Sequence, residues 1–184
     1  LKDLNESRKE LTRQGEAKAI ELVETSPLQN DKVLVVYLPD CHESLAGIIA
    51  GRLREHFHKP SFVLTRSEEG VKGSGRSIEA YSMYEELCKC KELMTKFGGH
   101  PKAGGFSLRP EDVETFRQMV YAYCRECYPK MPEYSVSADM EITGDCLTVE
   151  QVTELMKLEP CGEGNRKPVF LLRNCTVQSK RALK

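Results

Sequence analysis

The apolar run at residues 32–38 (KVLVVYL) constrains the fold of this chain more than any other stretch. It is nearly continuous and rich in β-branched residues, whereas a strand with one wet face would alternate apolar and polar side chains. The run therefore predicts a strand that is buried on both faces, as in an α/β sheet. A helix at about 43–57, capped by Asp40, and a second strand at 61–65 are predicted to follow. The helix should turn one apolar stripe inward, formed by Leu45, Ile48, Ile49, Leu53 and Phe57.

Composition limits the classes of protein that the chain can represent. Its 184 residues suffice for one domain and part of another, and 40% hydrophobic with 30% charged residues is an ordinary balance for a globular protein. Neither an apolar run of about 18 residues nor a signal peptide is visible, so we expect no membrane span and a cytoplasmic location. A net charge of −1 means that any contact with nucleic acid requires a local basic patch. Because the chain begins at Leu1 and ends in a strand-like run, we expect a piece of a longer protein.

A first glycine-rich stretch at 72–77 (KGSGRS) places Arg76 between the hydroxyls of Ser74 and Ser77. Glycine allows a ligand to approach the main chain closely. A guanidinium beside exposed backbone N–H groups suits a phosphate or another oxyanion. The stretch therefore predicts an anion site, with an ordinary tight turn as the alternative.

A second glycine-rich stretch at 97–106 (FGGHPKAGGF) adds an imidazole, His100, and a cation, Lys102. Four glycines, a histidine and a lysine within 98–105 exceed what one turn requires. We interpret this stretch as a second part of an anion site, and here too a simple turn is the alternative.

The eight cysteines leave zinc binding open as a further alternative. Cys88 and Cys90 form a CxC pair, and Cys124 and Cys127 form a CxxC pair, so four thiolates could hold one ion. Cys124 and Cys127 also lie on the apolar stripe of a predicted helix, which favours burial in the reduced state. We therefore expect neither structural zinc nor disulfides.

Other helices and strands are predicted up to about residue 130. They are an exposed helix over 1–25, a third strand over 71–78, a helix from the capping box at Ser82 to about Lys96, a strand at 105–108, and a helix that begins at Pro110. Beyond a boundary at 128–132 the pattern changes, and 136–142 alternates as a half-exposed antiparallel strand does. A helix at 148–158 and strands at 169–172 and 175–181 would complete a small β-rich segment.

Together these stretches resemble the RecJ family, the single-strand-specific 5′→3′ DNA exonucleases of the DHH phosphoesterase superfamily. Four motifs carry the resemblance: His-x-x-x-x-Gly-Ile at 42–48, Gly-Ser-Gly-Arg-Ser at 73–77, Gly-Gly-His-x-x-Ala-Gly-Phe at 98–106 with one extra glycine at 104, and Leu-Glu-Pro-Cys-Gly-Glu-Gly-Asn at 158–165 followed by Pro-Val-Phe at 168–170. The Gly-Gly-His signature alone marks the wider superfamily. Its combination with 158–170 is much more specific.

The resemblance implies a connecting helix over 1–29, a DHH-associated substrate-binding domain over 30–130, and a partial OB-fold over 131–184. The fold class is then α/β, a mixed sheet flanked by helices and followed by a truncated β-rich OB-like segment. Implied partners are single-stranded DNA and the N-terminal DHH domain of the same protein. No Asp-His-His motif occurs here, so that domain would bind the manganese or magnesium of the full-length enzyme, which acts in DNA repair and recombination. We expect no metal or other cofactor in this chain, and no nuclease activity from it alone.

The same resemblance implies roles for individual residues. His100 would lie against the scissile phosphate as the catalytic residue, while Ser74 and Arg76 would hold the terminal phosphate. His42 would line the same groove, although hydrogen bonding at the start of a helix explains it equally well. The complete set expected to bind substrate phosphates is His42, Ser74, Gly75, Arg76, Ser77, Gly98, Gly99 and Lys102.

Three other functions remain open at this point. A DHH phosphodiesterase acting on oligoribonucleotides or dinucleotides shares the Gly-Gly-His signature but needs no OB-fold, so residues 134–181 argue against it. An RNA-binding appendage like that of alanyl-tRNA synthetase carries the same signature, and a tRNA footprint would identify it. A protein-interaction module would bind no nucleic acid, and a salt-dependent binding curve with single-stranded DNA would separate it from the others.

Overall fold

The computed structural model describes residues 2–131, 133–162 and 164–181, with the backbone alone for residues 2–4. Pro132, within the predicted boundary, and Glu163, within the predicted OB motif, lie outside the described residues. The chain divides into two compact units, Leu1–Glu133 and Tyr134–Lys184, which we describe separately.

In the described part of the first unit, five strands form one mixed sheet in the order β1-β2-β3-β5-β4. The strands are β1 (Leu34–Tyr37), β2 (Ser61–Ser67), β3 (Gly70–Arg76), β4 (Met94–His100) and β5 (Ala103–Leu108). β1 runs parallel to β2, and the other neighbouring pairs are antiparallel. The predicted mixed sheet is confirmed.

Helices cover both faces of this sheet, as the sequence predicted. They are α1 (Lys2–Glu24), α2 (Ala46–Phe57), α3 (Met83–Lys89) and α4 (Val113–Cys127). On one face α1 and α2 enclose a cluster in which Val23, Leu34 and Ile49 are fully buried. On the other face, α3 and α4 enclose a second cluster with three phenylalanines.

These phenylalanines explain one of the glycines in the central strand. The ring centroid of Phe106 lies 4.8 Å from that of Phe116 and 5.9 Å from that of Phe62. A Cβ atom at Gly73 would lie 2.1 Å from Cζ of Phe106. Because real carbon atoms do not approach so closely, glycine at position 73 is required by the aromatic core.

The start of α2 differs from the prediction. A 3₁₀ turn, Glu43–Leu45, precedes the helix, and the Ser44 N–H donates to Nδ1 of His42 over 3.2 Å. Asp40 is therefore not the cap, and its carboxylate instead lies 3.2 Å from Nζ of Lys18 on α1. Ile48 was expected to face inward but is 39% exposed, because α1 packs against the neighbouring Ile49.

The helix predicted from Ser82 to about Lys96 is too long. Its Ser82 cap forms, with Oγ accepting from the Glu85 N–H at 3.4 Å. α3 nevertheless ends at Lys89, and after a 3₁₀ turn, Lys91–Leu93, the chain enters β4. β4 pairs with β5, which itself begins before the predicted residue 105. Helical periodicity was judged within 82–96 alone, and the partner strand β5 lies beyond those residues.

The two cysteines of the CxxC pair have different environments. Cys124 is buried, as expected, whereas Cys127 at the last position of α4 is exposed. Its Sγ lies 3.1 Å from Nζ of Lys89. All eight cysteines are free thiols. The prediction that Cys127 faces the core is wrong because the buried stripe of α4 passes through Val120 and Cys124, and Tyr128 continues it against the apolar cluster in place of Cys127.

In the described residues of the second unit, two short strands pair with each other. They are β6 (Met140–Ile142) and β7 (Phe170–Leu172), with α5 (Val149–Leu155) between them in sequence. Their pairing is parallel, so the antiparallel strand predicted over 136–142 is wrong. A crossover that contains a helix returns the chain in the same direction, which gives parallel pairing. The strand predicted over 175–181 does not form in these residues.

Candidate nucleic-acid interface

Strands β3, β5 and β4 carry three rows of residues on the side of the sheet where α2 lies. Directly paired residues of antiparallel strands point to the same face. Across the strands in this order, the first row is Arg76, Ala103 and His100; the second is Ser74, Gly105 and Gly98; the third is Lys72, Ser107 and Lys96. We call this surface the three-row face. It unites the two glycine-rich stretches of the sequence.

Burial along β3 shows which of its side chains belong to this face. Val71, Gly73 and Gly75 are buried, whereas the alternating Lys72, Ser74 and Arg76 are partly exposed. The guanidinium of Arg76 lies against α2 at Gly47, where a Cβ atom would be 2.8 Å from Nη2. Glycine at position 47 thus leaves room for the guanidinium beside the helix.

Two neutral groups orient Arg76. Its Nη1 donates to Oγ of Ser74 over 3.1 Å and to the carbonyl oxygen of Gly75 over 2.8 Å. A guanidinium has five N–H donors in a planar fork, so these contacts leave donors for a ligand. Arg76 and Ser74 therefore present a cation and a hydroxyl side by side, an arrangement that suits a phosphate.

His100 lies at the opposite end of the first row and is exposed. Its Nδ1 accepts from the Lys102 N–H over 3.3 Å, so a neutral ring carries its proton on Nε2. The turn at Pro101 and Lys102 is fixed from two sides. The Ser77 N–H donates to the Lys102 carbonyl, and the Met83 N–H donates to the Pro101 carbonyl, both over 2.9 Å.

The middle of the three-row face is a floor without side chains, formed by Gly98 and Gly105. Among the described residues, a Cβ atom at Gly98 would have no heavy atom within 4 Å, and one at Gly105 would meet only the Gly73 carbonyl oxygen at 4.0 Å. At Gly99, by contrast, a Cβ atom would lie 2.4 Å from the Ala103 carbonyl oxygen. Packing therefore requires glycine at 99 but not at 98 or 105. At those two positions the lack of a side chain leaves the backbone open to a ligand.

A groove of about 340 Å³ lies over the second and third rows. Glu43, from the turn before α2, lines it together with Lys72 and Lys96. Nζ of Lys72 is 2.7 Å from the Glu43 carboxylate, and this hydrogen bond raises the pKa of Lys72. Nζ of Lys96 is 3.6 Å from a carboxylate oxygen of Glu69.

The sequence did not identify this third row as part of the site. The i, i+2, i+4 spacing of Lys72, Ser74 and Arg76 could have indicated Lys72 once 70–76 was recognised as a strand. Lys96 had been assigned to a helix, so no such signal was available for it.

Two of the predicted phosphate-binding residues face the core instead. A Cβ atom at Gly75 would lie 2.5 Å from Sδ of Met83. Ser77 is 2% exposed, and its hydroxyl donates to the Tyr81 carbonyl. The expected exposed N–H groups of 73–75 are also not available, because β3 pairs with β2 on one edge and with β5 on the other. We therefore do not include Gly75 and Ser77 in the three-row face.

His42 lies near another surface. Its Nδ1 accepts from the Ser44 N–H and contacts Oγ of Ser44 at 2.8 Å, which is the helix-start role considered as an alternative. It lines a separate groove of about 250 Å³ that also includes Gly15 and Lys18 of α1. Of the other predicted residues, Lys102 is exposed in the turn, with Nζ 3.1 Å from a carboxylate oxygen of Glu79.

The described donor groups do not fit a catalytic metal ion. In residues 2–131, 133–162 and 164–181, no three side chains of His, Cys, Asp or Glu come together as potential ligands. Magnesium and manganese sites in phosphoryl-transfer enzymes are built on such clusters. In the same part of the chain, no helix combines the length and apolarity needed to cross a bilayer.

The fold is that of a small mixed α/β domain in which one open face of the sheet carries Lys72, Arg76 and Lys96. Two family models match the chain: the DHHA1 domain over residues 30–126 and the RecJ OB domain over residues 138–184. The chain therefore belongs to the RecJ family, with a DHHA1 domain followed by a RecJ OB segment.

Known relatives agree with this membership. The single-stranded-DNA-specific exonuclease RecJ of Bacillus subtilis is 31% identical over 186 residues, which cover 100% of this chain and 24% of the relative. RecJ of Thermus thermophilus is 31% identical over 150 residues, which cover 82% of this chain and 22% of the relative. The chain thus spans about a quarter of the length of these relatives.

Solved structures agree as well. Crystal structures of Thermus thermophilus RecJ in complex with Mg²⁺ and with Mn²⁺ superpose with TM-scores of 0.74 and 0.75 at 31% and 32% identity. The matched regions cover 91% and 92% of this chain, and 26% and 25% of those chains.

Proposed function

We propose that this chain is the substrate-binding part of a 5′→3′ single-stranded-DNA exonuclease, which hydrolyses phosphodiester bonds and releases mononucleotides in DNA repair and recombination. The observation that carries the proposal is the three-row face, where Arg76 and Ser74 lie across a glycine floor from His100. The relatives are single-stranded-DNA-specific exonucleases by name, which supports the choice of ligand.

In this function the terminal 5′-phosphate binds at Arg76 and Ser74. A hydrogen bond to a charged group contributes roughly 1.5–3 kcal/mol, so this pair could select phosphorylated ends. Gly98 and Gly105 let the strand approach the backbone, and Lys102 follows the phosphates as an exposed charge. Nε2 of His100 donates a hydrogen bond to an oxygen of the scissile phosphate and stabilises the charge that develops there.

The remaining parts of the enzyme follow from the same proposal. Residues 1–29, which contain α1, are the connecting segment, 30–130 the substrate-binding domain and 131–184 part of an OB-fold, which adds backbone tracking and base stacking. An N-terminal DHH domain supplies the manganese or magnesium site, in keeping with the ions named for the Thermus thermophilus structures. Eight free thiols are compatible with action in the reducing cytoplasm.

Replacement of Arg76 tests the proposal. Arg76→Ala should weaken binding to a 5′-phosphorylated single strand by about tenfold or more, the size of one charge-assisted hydrogen bond, and should weaken binding to the matching 5′-hydroxyl strand much less. Fluorescence anisotropy with a labelled 3′ end measures both affinities. Arg125→Ala on α4, exposed on the opposite side of the sheet, is the matched control and should change neither. Equal loss for both ends would contradict the assignment of the terminal phosphate to Arg76.

A further inference from the structure

We propose that Lys72, Lys96 and Glu43 form a downstream phosphate subsite that only strands of three or more nucleotides reach. The inference rests on the proposed function, because the subsite is counted from a terminal phosphate held at Arg76. It adds a residue that determines substrate length and register, Glu43, to a face that otherwise binds phosphates in general.

The spacing of the rows supports this assignment. Residues i and i+4 of a strand lie about 13 Å apart, and β3 and β4 lie about 10 Å apart across β5, so an anion held at Arg76 does not touch Lys72 or Lys96. Each row is about 7 Å from the next, a distance that one nucleotide of an extended strand can span. The first phosphate then lies at Arg76, the second, which is the scissile phosphate, over the glycine floor on its His100 side, and the third at the third row.

The cations of the first and third rows differ in their partners. Arg76 donates to a hydroxyl and a carbonyl oxygen, both neutral, so its positive charge is not compensated by these groups. Lys72 and Lys96 contact the carboxylates of Glu43 and Glu69. A phosphate must displace these carboxylates before it binds the third row. The terminal phosphate is therefore directed to the first row, and the third row binds a phosphate only when the strand is already held.

Glu43 has the better geometry of the two carboxylates for this role. It lines the groove itself, its contact with Lys72 is the shorter at 2.7 Å, and its side chain is 35% exposed, whereas that of Glu69 is 78% exposed. An exposed ion pair of this kind contributes little stability, so a phosphate can replace it at small cost.

The test compares 5′-phosphorylated oligothymidylates of two and of six nucleotides in the absence of divalent metal. Lys72→Gln should lower the affinity for the hexanucleotide and reduce the slope of log K against log salt by about 0.7, the value for one phosphate contact on a single strand. The dinucleotide should be unaffected. Glu43→Gln should raise the hexanucleotide affinity about two- to fivefold, again without change for the dinucleotide. Lys9→Gln and Glu6→Gln, exposed on α1, are the matched controls and should change nothing.

The outcomes separate this inference from the proposed function. Suppose that Arg76→Ala lowers the affinity for both oligonucleotides, while Lys72→Gln changes neither affinity or changes both equally. The downstream subsite is then wrong and the terminal-phosphate site stands. If Arg76→Ala affects neither oligonucleotide, the proposed function of the three-row face is wrong. An unchanged hexanucleotide affinity in Glu43→Gln would remove Glu43 from the subsite, since its pairing with Lys72 would then not compete with DNA.

Discussion

Arg76 and His100 occupy the two ends of one cross-strand row, although they come from separate glycine-rich stretches. Their motifs could be recognised in the sequence because each pairs glycines with a group that binds or polarises an oxyanion. The direction of each side chain could not be predicted, because it depends on the phase of a strand. This is why Gly75 and Ser77 point into the core while Ser74 and Arg76 do not.

His100→Ala in the full-length enzyme should lower the single-turnover rate by about 10²–10³ and change DNA affinity little, because a donor that acts on developing charge contributes mainly in the transition state. Lys102→Ala should instead lower affinity and reduce its salt dependence, since an exposed lysine acts as a general charge. Rapid-quench single-turnover rates and equilibrium binding, measured on the same preparations, distinguish these effects.

The contact between Nδ1 of His100 and the Lys102 N–H provides the competing explanation. If His100 only fixes the turn, His100→Ala will lower the thermal midpoint and leave the single-turnover rate per folded molecule unchanged. That result would remove His100 from the active site. His100→Asn is the companion variant, since its side-chain oxygen can accept from the turn N–H while the imidazole is lost; it should restore the midpoint and not the rate.

Among the elements, the β4–β5 hairpin is the one that was predicted least well from the sequence. The glycines of 98–105 looked like a loop because glycine disfavours strands, and Leu93 and Met94 fitted a helical stripe. Pairing with β5 overrides both local preferences, and this long-range pairing is not visible in a short window. The strands at 32–38 and 61–65, by contrast, were predicted correctly because their apolar runs are buried on both faces and locally unambiguous.

Two glycines of this hairpin should respond in opposite ways to the same substitution. Gly98→Val introduces its side chain where no described heavy atom lies within 4 Å of the new Cβ, so stability should be unchanged or rise by up to about 1 kcal/mol. The side chain would cover the glycine floor and weaken binding to single-stranded DNA by about tenfold. Thermal unfolding and anisotropy measure the two effects.

Gly104→Val is the comparison within the same hairpin. Its Cβ atom would lie 2.4 Å from Cδ1 of Leu87, so the variant should lose about 1–3 kcal/mol of stability by overpacking. Its DNA affinity per folded molecule should change less than that of Gly98→Val. If Gly98→Val binds DNA like the parent protein, the glycine floor does not contact the strand.

At the scale of the whole molecule, no three His, Cys, Asp or Glu side chains of the described residues come together as potential metal ligands. We therefore expect the purified chain to release no mononucleotides from 5′-labelled single-stranded DNA in manganese or magnesium, because a two-metal site requires several carboxylate or histidine ligands. Thin-layer separation of the products gives the readout. Addition of a separately produced RecJ DHH domain is the positive control and should give release of mononucleotides. Release of nucleotides that co-purifies with the chain itself through successive columns would contradict the prediction.

The lack of an Asp-His-His motif could be read from the sequence because it depends only on which residues occur, and the expectation of a separate metal-binding domain came from the family resemblance. The arrangement of the second unit could not be read from the sequence. A parallel pair with an intervening helix depends on contacts between β6 and β7, whereas the alternating pattern at 136–142 indicates only that a strand has one exposed face.

Under the proposed function, the hairpin turn determines how the three-row face recognises DNA. Backbone hydrogen bonds from Ser77 and Met83 attach the turn to the end of β3 and to the start of α3. The separation between the imidazole and the guanidinium is thus preorganised before any strand arrives, and little ordering entropy is lost when one binds. A rigid pair of this kind selects ligands by the distance between their phosphates. A ligand with a different phosphate spacing binds less well, because the turn does not move to adapt to it.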